Sequence, residues 1–292
     1  EYGHFFSAMG SNVTIIGRNP QFIPEEEPEI SELAKKVMSG YPNLNLITDH
    51  EVIEVRMTND GKKKVVAKDR SNGEEIEVVA EEILIATGRG SNSGILHPEK
   101  GDIETDSKGW IVTNEYLETS QPNIWAFGDA NGKYLFKHVA NYESTIVYYN
   151  AILKKNVKVD YHAVPHAVFS YPEIASVGLR EREAIGRYGE DNVLIGFQRY
   201  EDTAKGQAMD VKDYFVKVIV ESDTYKLLGA DIIGPHASVI IHQIIPLMYT
   251  PQQSAEPIMG GMDIHPSLSE VVTRAFYSLM PPAHYHGHEH SH

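Results

Sequence analysis

Cysteine is absent from all 292 residues. That excludes disulfide staples and thiolate metal sites, and it makes the cytoplasm the default compartment. Also missing is any apolar run near the ~20 residues a membrane helix needs, and no signal-peptide pattern opens the chain. Basic residues are in deficit, 26 Lys and Arg against 41 Asp and Glu, for a formal charge of −15. Such a field repels nucleic-acid phosphate and an anionic bilayer, which excludes both as partners. What remains, at 41% hydrophobic and 23% charged residues, is an ordinary globular composition long enough for two or three domains. The first residue is Glu1, and residues 1–9 read as a helix already under way that stops at Gly10. The chain therefore reads as one entered in mid-domain.

The local patterns place strands and helices in an α/β order. Residues 12–16 form a β-branched run, and the acidic segment Pro24-Glu25-Glu26-Glu27-Pro28 leads into a helical pattern over 30–38. Residues 45–47 read as a strand. Three more β-like runs cover 51–57, 63–68 and 75–79, separated by Asn59-Asp60-Gly61 and Ser71-Asn72-Gly73, both hairpin signals. Strands are expected at 82–86, 110–113 and 124–127, and a long helix at 137–153. Composition shifts at 154–162. Beyond it, strands are expected at 167–169, 175–178, 193–200, 214–220 and 227–233, then helices at 238–249 and 267–279. Strands followed by helices suggest an α+β domain on an antiparallel sheet.

Four motifs carry chemistry. Ala86-Thr87-Gly88-Arg89 ends a strand run, where Gly88 either lets backbone approach a cofactor or simply makes a turn. Gly128-Asp129 follows an apolar run; its carboxylate could accept hydrogen bonds from sugar hydroxyls or merely cap the turn. His265 and Glu270 stand five apart across a Pro-marked helix start, a spacing suited to a base oriented by an acid. The competing reading is local, with Pro266 at the first helical position and Glu270 at the positive helix end. Finally, His284, His286, His288, His290 and His292 alternate in a tail expected to be disordered, with weak affinity for Ni²⁺, Cu²⁺ or Zn²⁺.

Taken in order, these motifs resemble the flavin-dependent pyridine nucleotide–disulfide oxidoreductases of class I. The likeness is nearest to the dihydrolipoamide dehydrogenase-like branch, close to mercuric and mycothione reductases. Further markers are Thr119 through Asp129, Phe169 through Gly178, and Gly234-Pro235-His236-Ala237. The resemblance covers the chain up to about Leu279. It implies Rossmann-like portions followed by an α+β dimerisation domain: residues 1–86 as the later part of an NAD(P) domain, 87–159 as the closing part of an FAD domain, 160–280 for dimerisation, and 281–292 as tail. FAD and NAD or NADP are the implied cofactors. Glu1, Gly17, Arg18 and Val52 would serve the nicotinamide dinucleotide. Gly88, Arg89, Gly128 and Asp129 would serve the flavin, with Lys137-His138-Val139-Ala140 along its ring. His265, oriented by Glu270, would exchange a proton with a substrate thiol in a homodimer whose subunits share the active site. The implied partner is a small disulfide or dithiol, or a lipoyl group.

Departures from the family pattern limit this. Its FAD glycine loop, redox cysteine pair and NAD(P) glycine loop would precede Glu1. At the end of the second Rossmann strand, Gly17-Arg18 stands where NAD users carry an acid, a lean towards NADPH. The second basic residue expected slightly later is missing, since that stretch reads Phe22-Ile23-Pro24. The tail also lacks the paired cysteines of mercuric reductases. Competing readings are an inactive dimerisation or metal-binding module and an oxidase or quinone reductase on the same scaffold.

Overall fold

The computed structural model describes residues 1–289 and divides into two units. One comprises Glu1–Ile83 with the chain from Pro165 onward; the other is Leu84–Val164.

In the first unit, helix Tyr2–Ala8 gives way at Gly10, whose φ of 95° suits only glycine, to β1 (Val13–Ile16). A crossover helix, Pro28–Ser39, returns the chain to β2 (Leu44–Ile47), which pairs parallel with β1. Ile30, Ala34 and Met38 recur every four residues on that helix and are all buried, the stripe that holds it in place. Next comes an antiparallel meander of β3 (His50–Met57), β4 (Lys63–Asp69) and β5 (Glu75–Ala80). Gly61 and Gly73 supply the positive φ, 83° and 80°, that its two turns demand.

After Pro165 the same unit builds a five-stranded antiparallel sheet from β6 (His166–Val168), β7 (Ile174–Gly178), β8 (Val193–Arg199), β9 (Phe215–Glu221) and β10 (Leu227–Ile233). Its order is β6-β7-β10-β9-β8. Helix Ser269–Tyr277 buries Val271, Val272, Ala275 and Phe276. Helix Glu181–Tyr188, unexpected from the sequence, puts Ala184 into a core with Val193, Ile219 and Leu228. Among the described residues no helix is long and apolar enough to cross a membrane.

The α/β class holds, but several elements differ from expectation. Residues 82–86 form no strand; Leu84 and Ile85 are exposed, and among the described residues no strand pairs with them. In the second unit, 110–113 and 124–127 make only the isolated bridges Thr105–Ile111 and Glu118–Trp125. A strand needs a ladder of several pairs, and at 110–113 and 124–127 the facing segments 104–106 and 117–119 supply only one bridge each. The expected 137–153 helix is α-helical over Lys137–Val147 and widens to a π-turn at Tyr148–Ile152. The 238–249 helix is broken into Ala237–Ile240, Ile241–Gln243 and Ile245–Met248, the last carrying Pro246 in its first turn. The disordered-tail expectation is corrected over Pro282–Glu289, which is helical because Tyr285, only 4% exposed, packs against Phe197. The expectation for His290 and His292 lies outside the described residues.

Candidate cofactor clefts and a proton-transfer pair

Within the second unit, Arg89, Asn92, Trp110, Ile111, Asp129 and Ala130 are among the residues lining a cleft of about 560 Å³. Arg89 Nη1 reaches Asp129 Oδ2 at 3.3 Å and the Leu135 carbonyl at 2.6 Å, so the guanidinium ties the two expected motifs together. Gly88 and Gly128 have φ of 113° and 64°. At Gly128 the constraint is also spatial, since a Cβ would lie 2.9 Å from the Cβ of Ala140. Lys137 opens the helix, His138 stacks on Phe136 with centroids 5.3 Å apart, and Val139 is buried. Of that four-residue stretch, Ala140 is thus what packs beneath the Gly128 turn.

Glu143 was not foreseen. It is fully buried, and it accepts hydrogen bonds from Gly128 N–H, from Asn131 Nδ2 at 3.3 Å and from the Tyr161 hydroxyl. Burial, reinforced by the Glu143 carboxylate, pushes the Tyr161 phenol far above its ordinary pKa. The carboxylate pins the Gly128–Asn131 turn onto the helix. A signal existed: Glu143 falls between Val139 and Ile146 at helical spacing, a carboxylate on the buried face.

A second cleft, of about 190 Å³, lies at the carboxyl ends of β1 and β2 in the first unit. Gly17 and Arg18 line it together with Phe22, Ile47 and Thr48. Val52, by contrast, sits on β3 outside the cleft, next to a register shift. Glu1 Oε1 accepts from the Phe169 N–H at 2.8 Å. A residue the sequence did not suggest is Arg70, at the β4–β5 turn, whose Nη1 donates to the Arg18 carbonyl at 3.1 Å.

At the start of helix Ser269–Tyr277, His265 Nδ1 lies 2.9 Å from Glu270 Oε1. Glu270 Oε2 accepts from the Ser267 N–H at 3.0 Å, so both carboxylate oxygens are held. The His265 hydrogen bond, then the Ser267 N–H, keeps Glu270 below the usual carboxylate pKa. Glu270 is nearly buried while the His265 side chain is 66% exposed. With Nδ1 tied to the acid, Nε2 is the nitrogen offered to solvent.

A polar row crosses the five-stranded sheet. His166, Ser176, Asp231 and Lys217 are successive register partners on β6, β7, β10 and β9. The acidic segment before helix Pro28–Ser39 caps this row. Glu26 reaches His166 Nε2 at 2.6 Å and Ser176 Oγ, and Lys217 Nζ meets Glu27 at 3.4 Å, Glu181 at 2.7 Å and Glu29. Of the tail histidines, His286 Nε2 lies 2.6 Å from Glu181 Oε1 on the edge of the same cluster. His284 belongs to the same short helix, while the His288 side chain, His290 and His292 lie outside the described residues. The three glutamates that converge closely enough to bind a metal already converge on the Lys217 ammonium.

Residues 1–158 match the family model described as pyridine nucleotide-disulphide oxidoreductase, and residues 164–276 match its dimerisation domain. Mycothione reductase of Mycobacterium tuberculosis is 34% identical over 284 residues, 96% of this chain and 60% of that protein. Dihydrolipoyl dehydrogenase of Synechocystis is 30% identical over 94% of this chain and 59% of its own length. Mercuric reductase of Staphylococcus aureus is 34% identical over 83% and 43%. The chain thus spans about 60% of the first two relatives. In fold, it is similar to the Cu(II) complex of the HOCl-induced flavoprotein disulfide reductase RclA from Escherichia coli, with a TM-score of 0.84, 23% identity, and coverage of 94% of this chain and 60% of that one. Proteins of this class bind FAD and NAD(P)H.

Proposed function

The chain belongs to the pyridine nucleotide–disulphide oxidoreductases, and from that premise we propose that it serves electron transfer between NAD(P)H and a disulfide or dithiol, by way of FAD and a cysteine pair outside this chain. In this reading residues 1–86 contribute to the NAD(P) site, 87–159 to the FAD site and 160–280 to a homodimer with a shared active site. The substrate is a small disulfide or dithiol of the dihydrolipoyl kind.

The first cleft suits its assigned group: Gly88 and Gly128, at positive φ, directly precede the lining residues Arg89 and Asp129, and the Asp129 carboxylate suits a polyhydroxyl chain. Bound FAD would supply the two-electron chemistry. Arg89 holds Asp129 in place, and Glu143 holds the turn that carries it.

One observation carries the reading: the His265–Glu270 pair. Glu270 fixes the imidazole through Nδ1, so that Nε2 can give a proton to a leaving thiolate or take one from an attacking thiol. Ser267 N–H keeps Glu270 ionised and immobile. Exposed Met262 and Ile264 just before His265 suit a surface covered by a second subunit.

The test is His265→Ala in the protein that contains this chain. Disulfide turnover is expected to fall by about 10²–10⁴-fold, while reduction of bound flavin by NAD(P)H continues. Unchanged disulfide turnover would sink the assignment.

A further inference from the structure

One wall of the second cleft is a single stretch, Gln21-Phe22-Ile23-Pro24, between β1 and the crossover helix. It belongs to neither a helix nor a strand. Ile23 has a φ of 58° and is, among the described residues, the only β-branched side chain in the left-handed region. Branching at Cβ crowds the backbone there, so this conformation is strained. Such strain persists only where surrounding contacts over-determine it, and it gathers at ligand clamps and switch segments.

Local bonds give this strap its curve. Gln21 Nε2 donates to the Glu26 carbonyl at 3.0 Å, the Glu26 N–H to the Ile23 carbonyl at 3.2 Å, and the Ser31 hydroxyl to the Phe22 carbonyl. Its other anchors come from the chain after Pro165. Arg180 Nη1 donates to the Pro24 carbonyl at 3.2 Å, and Arg180 Nη2 is held by Glu183 Oε1, also at 3.2 Å. Two residues beyond Pro24, Glu26 lies 2.6 Å from His166 Nε2 and accepts from Ser176 Oγ. Glu27 accepts from the Glu181 N–H and meets Lys217 Nζ at 3.4 Å. Both carboxylates are buried, so neither can slide without leaving a buried partner unsatisfied. The strained residue thus sits between a cleft and a fixed anchor on the five-stranded sheet.

We propose that Arg180 and Glu26 are positioning residues for the dinucleotide: acting through the strap, they hold the Ile23 wall of the cleft in its strained, binding-competent form. This rests on the dinucleotide reading of the cleft. With an anchor cut, Ile23 relaxes towards negative φ, and only a fraction of the molecules keep the wall in place. Apparent affinity then falls by that fraction. The coupling is reciprocal, so a bound dinucleotide also tightens the strap on the sheet.

The test is a mutant cycle in the protein that contains this chain, with NAD⁺ and NADP⁺ titrated by calorimetry. Arg180→Ala should weaken binding of the preferred nucleotide about fivefold to tenfold, while flavin reduction at saturating NAD(P)H keeps its rate within about twofold. Ser176→Ala removes one hydroxyl from Glu26; it should act in the same direction more weakly, and it guards against a folding defect at Arg180. Glycine enters the left-handed region without strain. In an Ile23→Gly background, Arg180→Ala should therefore cost less than about twofold. Affinity unmoved by both Arg180→Ala and Ser176→Ala overturns the proposal, and so does an equal loss in the two backgrounds. Amide exchange over residues 17–24 separates that failure from failure of the dinucleotide reading. Bound nucleotide is expected to slow it in the wild type; exchange unchanged by either nucleotide overturns the reading and the proposal together.

Discussion

Lys217 and Asp231 face each other in register across β9 and β10, both almost completely removed from solvent, yet they do not share a simple ion pair. Burial, with the nearby Glu27 charge, pushes the Asp231 carboxyl well above its ordinary pKa, while its neighbours Lys217 and Ser176 act in the opposite sense. Burial alone would lower the Lys217 pKa, but Glu29, Glu27 and Glu181 outweigh it and hold the ammonium charged. The sheet face therefore carries one cation satisfied by three carboxylates, two of which come from the segment around Pro28.

That arrangement predicts a large cost for removing the cation alone. Lys217→Ala and Lys217→Met both leave Glu27 without the Lys217 charge, and leave Glu181 with His286 at its edge. Each should destabilise the chain by about 3–5 kcal/mol. Restoring the cluster's original net charge, by adding Glu181→Gln to Lys217→Met, should recover part of that loss. Urea midpoints of the three variants measure it. A drop under about 1 kcal/mol for Lys217→Met would show that solvent reaches the cluster.

The His166–Glu26 contact makes a separate claim about pH. Burial pushes the His166 pKa down, but the bond and charge of Glu26, aided by Glu25, prevail and raise it. A raised histidine stabilises the fold fully below its unfolded pKa of about 6.5, and that contribution is lost as pH rises through the folded value. Stability of the wild type should therefore fall with pH above about 6.5 relative to His166→Gln. Glu27 and Asp231, with raised pKa values, and Glu181, held low by Lys217 against its own burial, titrate in both proteins. The difference between the two curves isolates His166. Parallel curves from pH 5.5 to 8.5 would contradict the assignment.

Much of this molecule could be read from residues close together in the chain. The meander followed from Gly61 and Gly73, whose turns need positive φ. The five strands of the second sheet lay close to their expected positions because each is a β-branched run bounded by turn residues. The His265–Glu270 contact was legible because a helix start converts a five-residue spacing into a short distance. Long-range features were not. Arg70 reaches Arg18 across 52 positions, so a search just downstream of Arg18 found only Phe22-Ile23-Pro24. The row His166, Ser176, Asp231 and Lys217 exists only through strand register, and it explains an acidic segment that otherwise reads as a solvated loop. The runs at 82–86 and 124–127 had strand composition, but a strand also needs a ladder of several pairs, and 124–127 makes only one bridge.

The Gly128 turn offers a test of how the second unit holds its cleft. Gly128→Ala places a Cβ in the left-handed region and drives it against Ala140 at 2.9 Å. The two effects add to a loss of about 1–3 kcal/mol. They are separable. Ala140→Gly removes the opposing methyl at a helix cost of about 1 kcal/mol, yet leaves the backbone strain untouched. The double variant should therefore be more stable than the sum of the single losses predicts, with a coupling of about 0.5–1 kcal/mol. Strict additivity in thermal unfolding would mean that the turn yields without pressing on the helix. Glu143, which bonds the Gly128 N–H and Asn131 at once, is the reason to expect that it does not yield.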